Sequence, residues 1–228
     1  MPSYEEIYAA HADRYDELVR HEDHAKNVEA FLDRVMAGRP RLVVELGCGT
    51  GRVTRMLAPR AGQVHAFDGA AHMVDFARRA LADAANVTFA VADNGALPEP
   101  DGAADLVVAG WTLGHLTGFF PDDWRPRAEG ALAEMRRVAR PGGRVLVFET
   151  LGTCTVEAAP PNARLAELYA LFEARGLART TLATDYAFDS VDEAARVMGF
   201  FFGARMAEEV RARGAPVVPE HTGAWLSR

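Results

Sequence analysis

The chain has 228 residues, of which 49% are hydrophobic and 25% are charged, close to the averages of soluble globular proteins. This length suits one large domain, and the composition argues against a disordered chain or a fibrous repeat. The formal net charge of -7 predicts an acidic field that repels a phosphate backbone, so we expect no nucleic-acid partner.

Other features of the composition narrow the class of protein further. No stretch approaches the roughly 18 apolar residues of a membrane span, and the N-terminus lacks the pattern of a signal peptide. We therefore expect a cytoplasmic protein with no membrane partner. The two cysteines, Cys48 and Cys154, are too few for a disulfide framework and lie in no cluster with metal-ligand spacing, so no metal site is predicted. Because Lys26 is the single lysine among 25 basic residues, we expect a bacterial, GC-rich source.

The predicted elements alternate between helices and short apolar runs. In chain order, helices are predicted over residues 4–20, 24–36, 71–84, 128–140 and 162–174, with another that opens on a Ser190/Glu193 capping box. Strands are predicted over residues 41–46, 63–67, 87–92, 105–109 and 144–148, and near 179–188 and 221–226. Buried strands joined by helices form a doubly wound sheet. We therefore predict a Rossmann-like α/β fold with a seven-stranded, mostly parallel sheet.

We expect a single domain with three parts. Residues 1–38 would form an N-terminal helical lid, residues 39–150 a cofactor-binding core, and residues 151–228 an acceptor-side insertion with the last two strands. The segment from Thr150 to about Arg179 is longer than the usual crossover connection, which indicates a helical insertion after strand five.

A glycine-rich turn follows the first predicted strand, with glycines at Gly47, Gly49 and Gly51. Glycine is required where a ligand touches the main chain, because a Cβ blocks both the approach and the positive φ angles of a tight turn. The dinucleotide fingerprint fails, since Arg52 stands at its third glycine, and the Lys-Ser/Thr pair of a P-loop is missing. The turn therefore predicts a ligand-binding loop of another kind.

Polar side chains also follow the first three strands. Glu45 ends the first strand and Asp68 ends the second, where a carboxylate can accept two hydrogen bonds from a ribose diol. Asp93 and Asn94 follow the third strand and suit an adenine edge. Turn chemistry is the alternative for Asp68 and Asp93, because Asp, Asn and Gly favour turns.

Taken in order, these motifs resemble those of the class I S-adenosylmethionine-dependent methyltransferases over roughly residues 40 to 150. The motifs are Glu45-Leu-Gly-Cys-Gly-Thr-Gly51, Asp68, Asp93, Asp105 to Trp111, and Arg140-Pro-Gly-Gly143. The resemblance implies S-adenosylmethionine as cofactor and S-adenosylhomocysteine (SAH) as product, with the glycine loop at the methionine part, Asp68 at the ribose and Asp93 at the adenine. The predicted cofactor-binding residues are Tyr15, Glu45, Gly47, Gly49, Gly51, Asp68, Gly69, Met73, Asp93, Asn94, Ala109 and Trp111. Met73 fits core packing equally well.

Two residues after the fourth strand are candidates for the chemistry of methyl transfer. The reaction is an in-line displacement, in which correct positioning supplies much of the rate. Trp111 offers an aromatic face to a sulfonium, or packs over the sheet end. His115 is the candidate general base, because a histidine can take the proton that the acceptor loses; a hydrogen bond to the cofactor or to a neighbouring loop is the alternative.

Aromatic residues elsewhere are candidates for the acceptor side. The first helix places Tyr4, Tyr8, His11 and Tyr15 on one face. By resemblance this face is a lid, with Tyr15 on the cofactor and Tyr4 or Tyr8 on the acceptor; ordinary packing is the alternative. We also predict that Tyr169 and Phe172 roof an apolar acceptor pocket.

The sequence predicts methyl transfer to O, N or C of a small organic molecule, by a monomer or a homodimer. The Asn/Asp-Pro-Pro-Tyr motif of adenine and glutamine methylation and the Pro-Cys pair of cytosine-C5 enzymes are both missing from the sequence. A nicotinamide-dependent oxidoreductase is one alternative, disfavoured by Arg52 and by the lack of a Tyr-x-x-x-Lys pair. A non-catalytic S-adenosylmethionine-binding module is the other.

Overall fold

Strands and helices alternate along the chain, of which the computed structural model describes residues 12–227. The strands are β1 (Leu42–Leu46), β2 (Gln63–Asp68), β3 (Val87–Val91), β4 (Ala104–Gly110), β5 (Ala139–Thr153), β6 (Leu177–Ala183), β7 (Tyr186–Ala187), β8 (Val217–Val218) and β9 (Glu220–Ser227). The helices are α1 (Ala12–His21), α2 (Asn27–Val35), α3 (Arg52–Leu57), α4 (Ala71–Ala80), α5 (Leu116–Phe119), α6 (Trp124–Val138), α7 (Ala163–Ala174), α8 (Val191–Phe202) and α9 (Ala204–Arg213). Short 3₁₀ turns lie at Ala58–Arg60 and Leu113–His115.

Seven strands form one sheet in the order β3-β2-β1-β4-β5-β9-β6. Strands β1 to β5 are parallel, and β9 runs antiparallel to both β5 and β6. The prediction of a seven-stranded, mostly parallel sheet is confirmed. The strand order reverses between β1 and β4, and a ligand crevice is expected at the carboxyl ends of the strands at such a point.

Apolar side chains alternate across the central strands and so build a core on each face. Val44 of β1 and Val107 of β4 pack with α6 and α7 on one face of the sheet. Val43 and Val108 pack with α2 and α3 on the other face. Because α2 is buried in this second core, it cannot belong to the predicted lid of residues 1–38, and the lid stays a prediction for α1. No helix within residues 12–227 is long and apolar enough to cross a membrane.

The helical insertion lies between β6 and β9, after strand six, so its predicted position after strand five is wrong. It contains the two-stranded β7–β8 ribbon together with α8 and α9. The helix after strand five, α7, is instead a crossover helix of the sheet, because Leu168 and Phe172 are fully buried with Trp225 of β9. The insertion has a small core of its own, to which α1 contributes Leu18.

Candidate active site

A cavity of about 450 Å³ lies at the carboxyl ends of the parallel strands. Eleven of the residues predicted from the sequence line it: Tyr15, Glu45, Gly47, Gly49, Asp68, Gly69, Met73, Asp93, Asn94, Trp111 and His115. Further lining residues were not predicted: Cys48, Arg52, Val53, Ala70, Ala92, Gly95, Gly110, Thr112, Leu116, Phe119, Phe120, Arg127, Gly130 and Ala131. Tyr4, Tyr8 and His11 lie outside the described residues.

The glycine loop has positive φ angles of 64° at Gly47 and 87° at Gly51. A Cβ on Gly47 would lie 2.2 Å from Oγ1 of Thr112, so a larger residue would push the turn after β4 away. A Cβ on Gly51 would lie 2.8 Å from Leu81, at the end of α4. Gly51 therefore serves the packing of the loop on α4 and does not line the cavity, which corrects its prediction as a cofactor contact.

Asp68 connects the glycine loop to the turn after β2. Its Oδ2 accepts a hydrogen bond from the Gly49 amide at 2.8 Å, and its Oδ1 accepts one from the Ala70 amide at 2.8 Å. Burial raises the pKa of this carboxyl, against the lowering effect of the two amides. The two predicted roles are compatible, because each carboxylate oxygen keeps a lone pair for a ligand hydroxyl.

The residues after β3 also combine a turn with the cavity wall. Oδ1 of Asp93 accepts a hydrogen bond from the Gly95 amide at 2.7 Å. Asp93 and Asn94 line the cavity together with the buried Met73. This wall therefore offers polar acceptors beside an apolar surface, as an adenine ring requires.

Glu45 is a buried acid beneath the glycine loop. Its Oε2 accepts a hydrogen bond from the Thr54 hydroxyl at 2.6 Å. Burial, and to a smaller extent the charge of Asp68, raises the pKa of Glu45 to about 8. At pH 7 the carboxyl is therefore mostly protonated, and it can donate a hydrogen bond into the cavity.

The turn after β4 is fixed at both sides. The Thr112 hydroxyl donates to the Gly47 carbonyl at 3.1 Å, which joins the turn to the glycine loop. Oε1 of Glu149, in β5, accepts a hydrogen bond from the Gly114 amide at 2.8 Å. The amides of Leu113 and Thr112 also act on this carboxylate and lower its pKa, but burial dominates and raises the pKa to about 7. The main chain that carries His115 is therefore held in place by hydrogen bonds on both sides.

His115 lies in this turn, partly buried, with its ring nearly parallel to that of Phe119 at a centroid distance of 5.5 Å. Burial lowers the pKa of His115 to about 4, and a hydrogen bond with the Trp111 main chain offsets only part of this effect. The imidazole is therefore neutral at physiological pH. It can accept a proton, but it is a weaker base than an exposed histidine.

One face of the Trp111 ring is in contact with a cationic side chain, that of Arg52. The guanidinium carbon of Arg52 lies 3.6 Å from the ring centroid of Trp111, and the Phe148 ring stacks on the same indole at 5.6 Å. Sequence reasoning missed Arg52 as a site residue, having used it only to reject the dinucleotide fingerprint. The one signal was its position directly after the glycine loop.

Besides Gly51, three predicted site residues lie outside the cavity wall. Ala109 is fully buried in the core of the sheet, and Gly110 lines the cavity in its place. Tyr169 packs on Trp225 at 4.6 Å, and its hydroxyl donates to the Thr150 carbonyl at 2.7 Å. Phe172 contacts the same Trp225 ring at 5.5 Å. The prediction that Tyr169 and Phe172 roof an acceptor pocket is therefore wrong: both belong to the core beneath α7.

The site contains acids and one histidine but no metal-ligand cluster. Within residues 12–227 no group of three or more His, Cys, Asp or Glu side chains could hold a metal ion. Cys48 is buried in the glycine loop, and burial raises the pKa of its thiol far above the ordinary range, so it is an inert thiol.

Comparison with known proteins gives consistent matches. A family model described as a methyltransferase domain matches residues 44–147. The demethylmenaquinone methyltransferase of Thermus thermophilus is 36% identical over 121 residues, which are 52% of this chain and 51% of that protein. The malonyl-(acyl-carrier protein) O-methyltransferase of Halorhodospira halophila is 35% identical over 152 residues, which are 65% of this chain and 48% of that protein. The chain thus spans about half the length of the curated relatives it matches.

Solved structures extend the similarity beyond the matched segment. The structure of DhpI in complex with SAH has a TM-score of 0.56 and 26% sequence identity, and covers 95% of this chain and 92% of DhpI. The shared region therefore extends well beyond residues 44–147.

Proposed function

We propose that the chain is a class I S-adenosylmethionine-dependent methyltransferase, on the basis of the methyltransferase domain matched at residues 44–147, and that it methylates O, N or C of a small organic acceptor. The observation that carries the proposal is the pairing of a glycine loop with Asp68 in one wall of the cavity, through the 2.8 Å bond from the Gly49 amide. Main chain and carboxylate are then held together where a nucleoside with an amino-acid tail requires both.

S-adenosylmethionine is the cofactor of this family, and the DhpI structure with SAH supports the same nucleoside here. Within the cavity, we assign the ribose diol to Asp68 and the adenine to Asp93, Asn94 and Met73. The amino-acid tail then lies along the glycine loop. The sheet order supports this direction, because β3 and β2 lie on one side of β1 and β4 on the other.

The acceptor is proposed to enter on the β4 side, beside Trp111 and His115. When bound, the cofactor supplies a methyl group on a sulfonium, which suits an in-line displacement by the acceptor. Proximity is the main contribution of the protein, because the anchored turn after β4 and the glycine loop hold the two sides of the cavity at a fixed separation. For an O or N acceptor, neutral His115 takes the proton that the acceptor loses.

The names of the curated relatives do not agree on one acceptor. One is a demethylmenaquinone methyltransferase and the other acts on a malonyl-acyl-carrier protein. The class of acceptor atom is therefore left as O, N or C.

Calorimetry with SAH and NADH tests this proposal against the oxidoreductase. We expect micromolar or tighter binding of SAH and none of NADH. Binding of NADH without SAH would reject methyl transfer. Incubation with labelled S-adenosylmethionine and a panel of small alcohols, amines and carbon acids then tests catalysis, since a non-catalytic module binds SAH but transfers label to none of them.

A further inference from the structure

Glu149, near the carboxyl end of β5, is a buried acid that does not itself line the cavity. Its Oε1 accepts a hydrogen bond from the Gly114 amide at 2.8 Å, and the amides of Leu113 and Thr112 act on the same carboxyl. Three consecutive main-chain donors of one turn therefore converge on a single side chain. Burial of a carboxylate costs free energy unless donors or cations compensate its charge, so an acid at this place requires an explanation.

The carboxyl of Glu149 has no cation beside it among the residues that the structure describes. Tyr169 of α7 packs nearby and is a neutral phenol, because burial and the charge of Glu149 raise its pKa. Glu220 of β9 is neutral at pH 7, because burial raises its pKa well above the usual range. His115 is neutral as well, and Arg164 of α7 donates to the main chain of α5 instead. When Glu149 is ionised, its charge is therefore compensated by the three amides of the turn.

The turn to which these amides belong forms one wall of the cavity. Thr112, His115 and Leu116 line the cavity there. A Cβ on Gly114 would lie 2.6 Å from Oε2 of Glu149, so the carboxyl and the main chain are already in close contact. A movement of this carboxyl relative to the turn therefore moves the wall beside which the acceptor is proposed to bind.

We propose that Glu149 is a positioning residue for methyl transfer, which as a carboxylate draws the turn at residues 112–114 into the position that the acceptor side of the cavity requires. The role rests on the function proposed above. Hydrogen bonds to an ionised acceptor are about twice as strong as those to a neutral one. A protonated carboxyl also carries an O–H donor, and the three amides that face it are donors too. Protonation of Glu149 therefore loosens the turn and displaces the side chains that it carries, His115 included.

NMR of the isotope-labelled full chain tests the contact directly, without cofactor or acceptor. The Gly114 amide proton should shift as Glu149 ionises, with a midpoint at pH about 7, the pKa to which burial raises this carboxyl. In Glu149→Gln the same signal should not move between pH 6 and 8. Glu134→Gln is the control, because Glu134 also accepts a main-chain amide but does not line the cavity, so the Gly114 titration should persist. A Gly114 signal that does not titrate in the unmodified chain would overturn the proposal.

Turnover tests whether this contact positions the site. With an acceptor that the labelled-cofactor panel identifies, turnover should rise about tenfold from pH 6 to pH 8, since roughly a tenth of the carboxyl is ionised one pH unit below its pKa. Glu149→Gln should be slow and nearly independent of pH over this range. The rise should persist in His115→Ala, at a lower level, because Thr112 and Leu116 move with the same turn. Loss of the rise in His115→Ala would assign it to the histidine and reject the role of Glu149.

Gly114→Ala separates the position of the carboxylate from its charge. The added Cβ displaces the carboxylate of Glu149 but leaves its charge, so turnover at pH 8 should fall to the level of Glu149→Gln. Unchanged turnover would mean that Glu149 acts through its charge alone and would overturn the positioning role. The NMR titration of the unmodified chain needs no variant, so it can reject the inference even if neither substitution folds.

The outcomes also separate this inference from the proposed function. If the unmodified chain does not bind SAH, the proposed function fails. If SAH binds and label is transferred but turnover is the same at pH 6 and pH 8, the inference alone fails. If SAH binds but no acceptor in the panel takes label, the catalytic function and the role of Glu149 fail together, and the NMR titration then reports the contact only.

Discussion

Asp68 makes two structural hydrogen bonds and is also the proposed ribose ligand. Asp68→Ala removes the acceptors of the Gly49 and Ala70 amides and the two sites for the diol. We expect the affinity for SAH, measured by calorimetry, to fall by about 100-fold or more. Asp68→Asn keeps one neutral oxygen and should fall between this variant and the unmodified chain.

Asp105 provides the matched control for Asp68. Its Oδ2 accepts the amides of Arg41 at 2.7 Å and Leu42 at 3.1 Å, but it lies at the amino end of β4, away from the cavity. Asp105→Ala should lower the stability of the fold and leave SAH affinity within about threefold. Equal effects of the two substitutions on affinity would show that Asp68 acts through the fold alone.

His115 is predicted to act as the general base, with a pKa below the physiological pH range. His115→Ala should reduce turnover by about 100-fold or more while SAH affinity stays within about threefold. Because the pKa is near 4, turnover by the unmodified enzyme should show no acidic limb of histidine origin between pH 6 and 8. Phe119→Leu removes the ring beside His115 and serves as control. An acidic limb near pH 6.5 that disappears in His115→Ala would contradict the depressed pKa.

At the scale of single residues, the sequence predicts a residue's place in the site when that place follows from the chemistry of the residue itself. Gly47 and Asp68 could be placed at the cavity because a tight turn after a buried strand requires glycine and because the carboxyl end of a parallel strand faces the ligand crevice. Arg52 could not, since its burial depends on Trp111 and Glu22, which the chain brings in from distant segments. The packing of Tyr169 is hidden for the same reason, as Trp225 comes from the last strand.

At the scale of elements, the turn between β4 and α5 depends on a carboxylate from another strand. Glu149 has a pKa of about 7 in the folded chain, raised from 4.5 by burial. The unfolded chain therefore releases this proton at lower pH than the folded chain does. As a result, this group's contribution to stability decreases as pH rises from about 4.5 to 7 and is constant above that range.

Glu149→Gln should remove this pH dependence. The free energy of unfolding of the variant relative to the unmodified chain should increase between pH 4.5 and 7, measured by urea denaturation at several pH values. Glu134 is the matched control, for which the pH dependence of stability should have the opposite sign. It also accepts a hydrogen bond from a main-chain amide, that of Leu97 at 2.7 Å, but its hydrogen bond with Arg137 lowers its pKa. Glu134→Gln should therefore lose stability relative to the unmodified chain as pH rises towards about 4.5, and the difference should be constant above that pH. A constant difference for Glu149→Gln would contradict the raised pKa.

Elements with a strong local pattern were predictable, and their connections were less so. The Ser190/Glu193 capping box is present, with the Glu193 amide donating to Oγ of Ser190 at 3.1 Å. The insertion was misplaced because β5 extends to Thr153, well past its apolar run, and so occupies part of the long segment after it. The polar and glycine residues of that extension carry no strand period, so its pairing with β9 is a tertiary effect.

At the scale of the whole molecule, α1 joins the cavity to the insertion. Tyr15 lines the cavity and also meets the Phe201 ring of α8 edge-on at 6.4 Å. Glu17 pairs with Arg196 of α8 at 2.7 Å, and His21 stacks on Phe188 at 4.3 Å. The insertion thus supports the helix that covers one side of the proposed cofactor site, and ligand binding should stabilise both.

Phe201→Ala tests this coupling. Removal of the buried ring should destabilise the fold by about 3–5 kcal/mol. It should also weaken the packing of α1 against α8. Hydrogen exchange of the amides in α1 should then be faster than in the unmodified chain, and SAH should slow it in both proteins because Tyr15 lines the cavity in which we propose that SAH binds. Val210→Ala, in α9 of the same cluster, should destabilise the insertion without the same increase in α1. If SAH protects the amides of α4 but not those of α1, then α1 is a packing helix and the cofactor site is closed by another part of the chain.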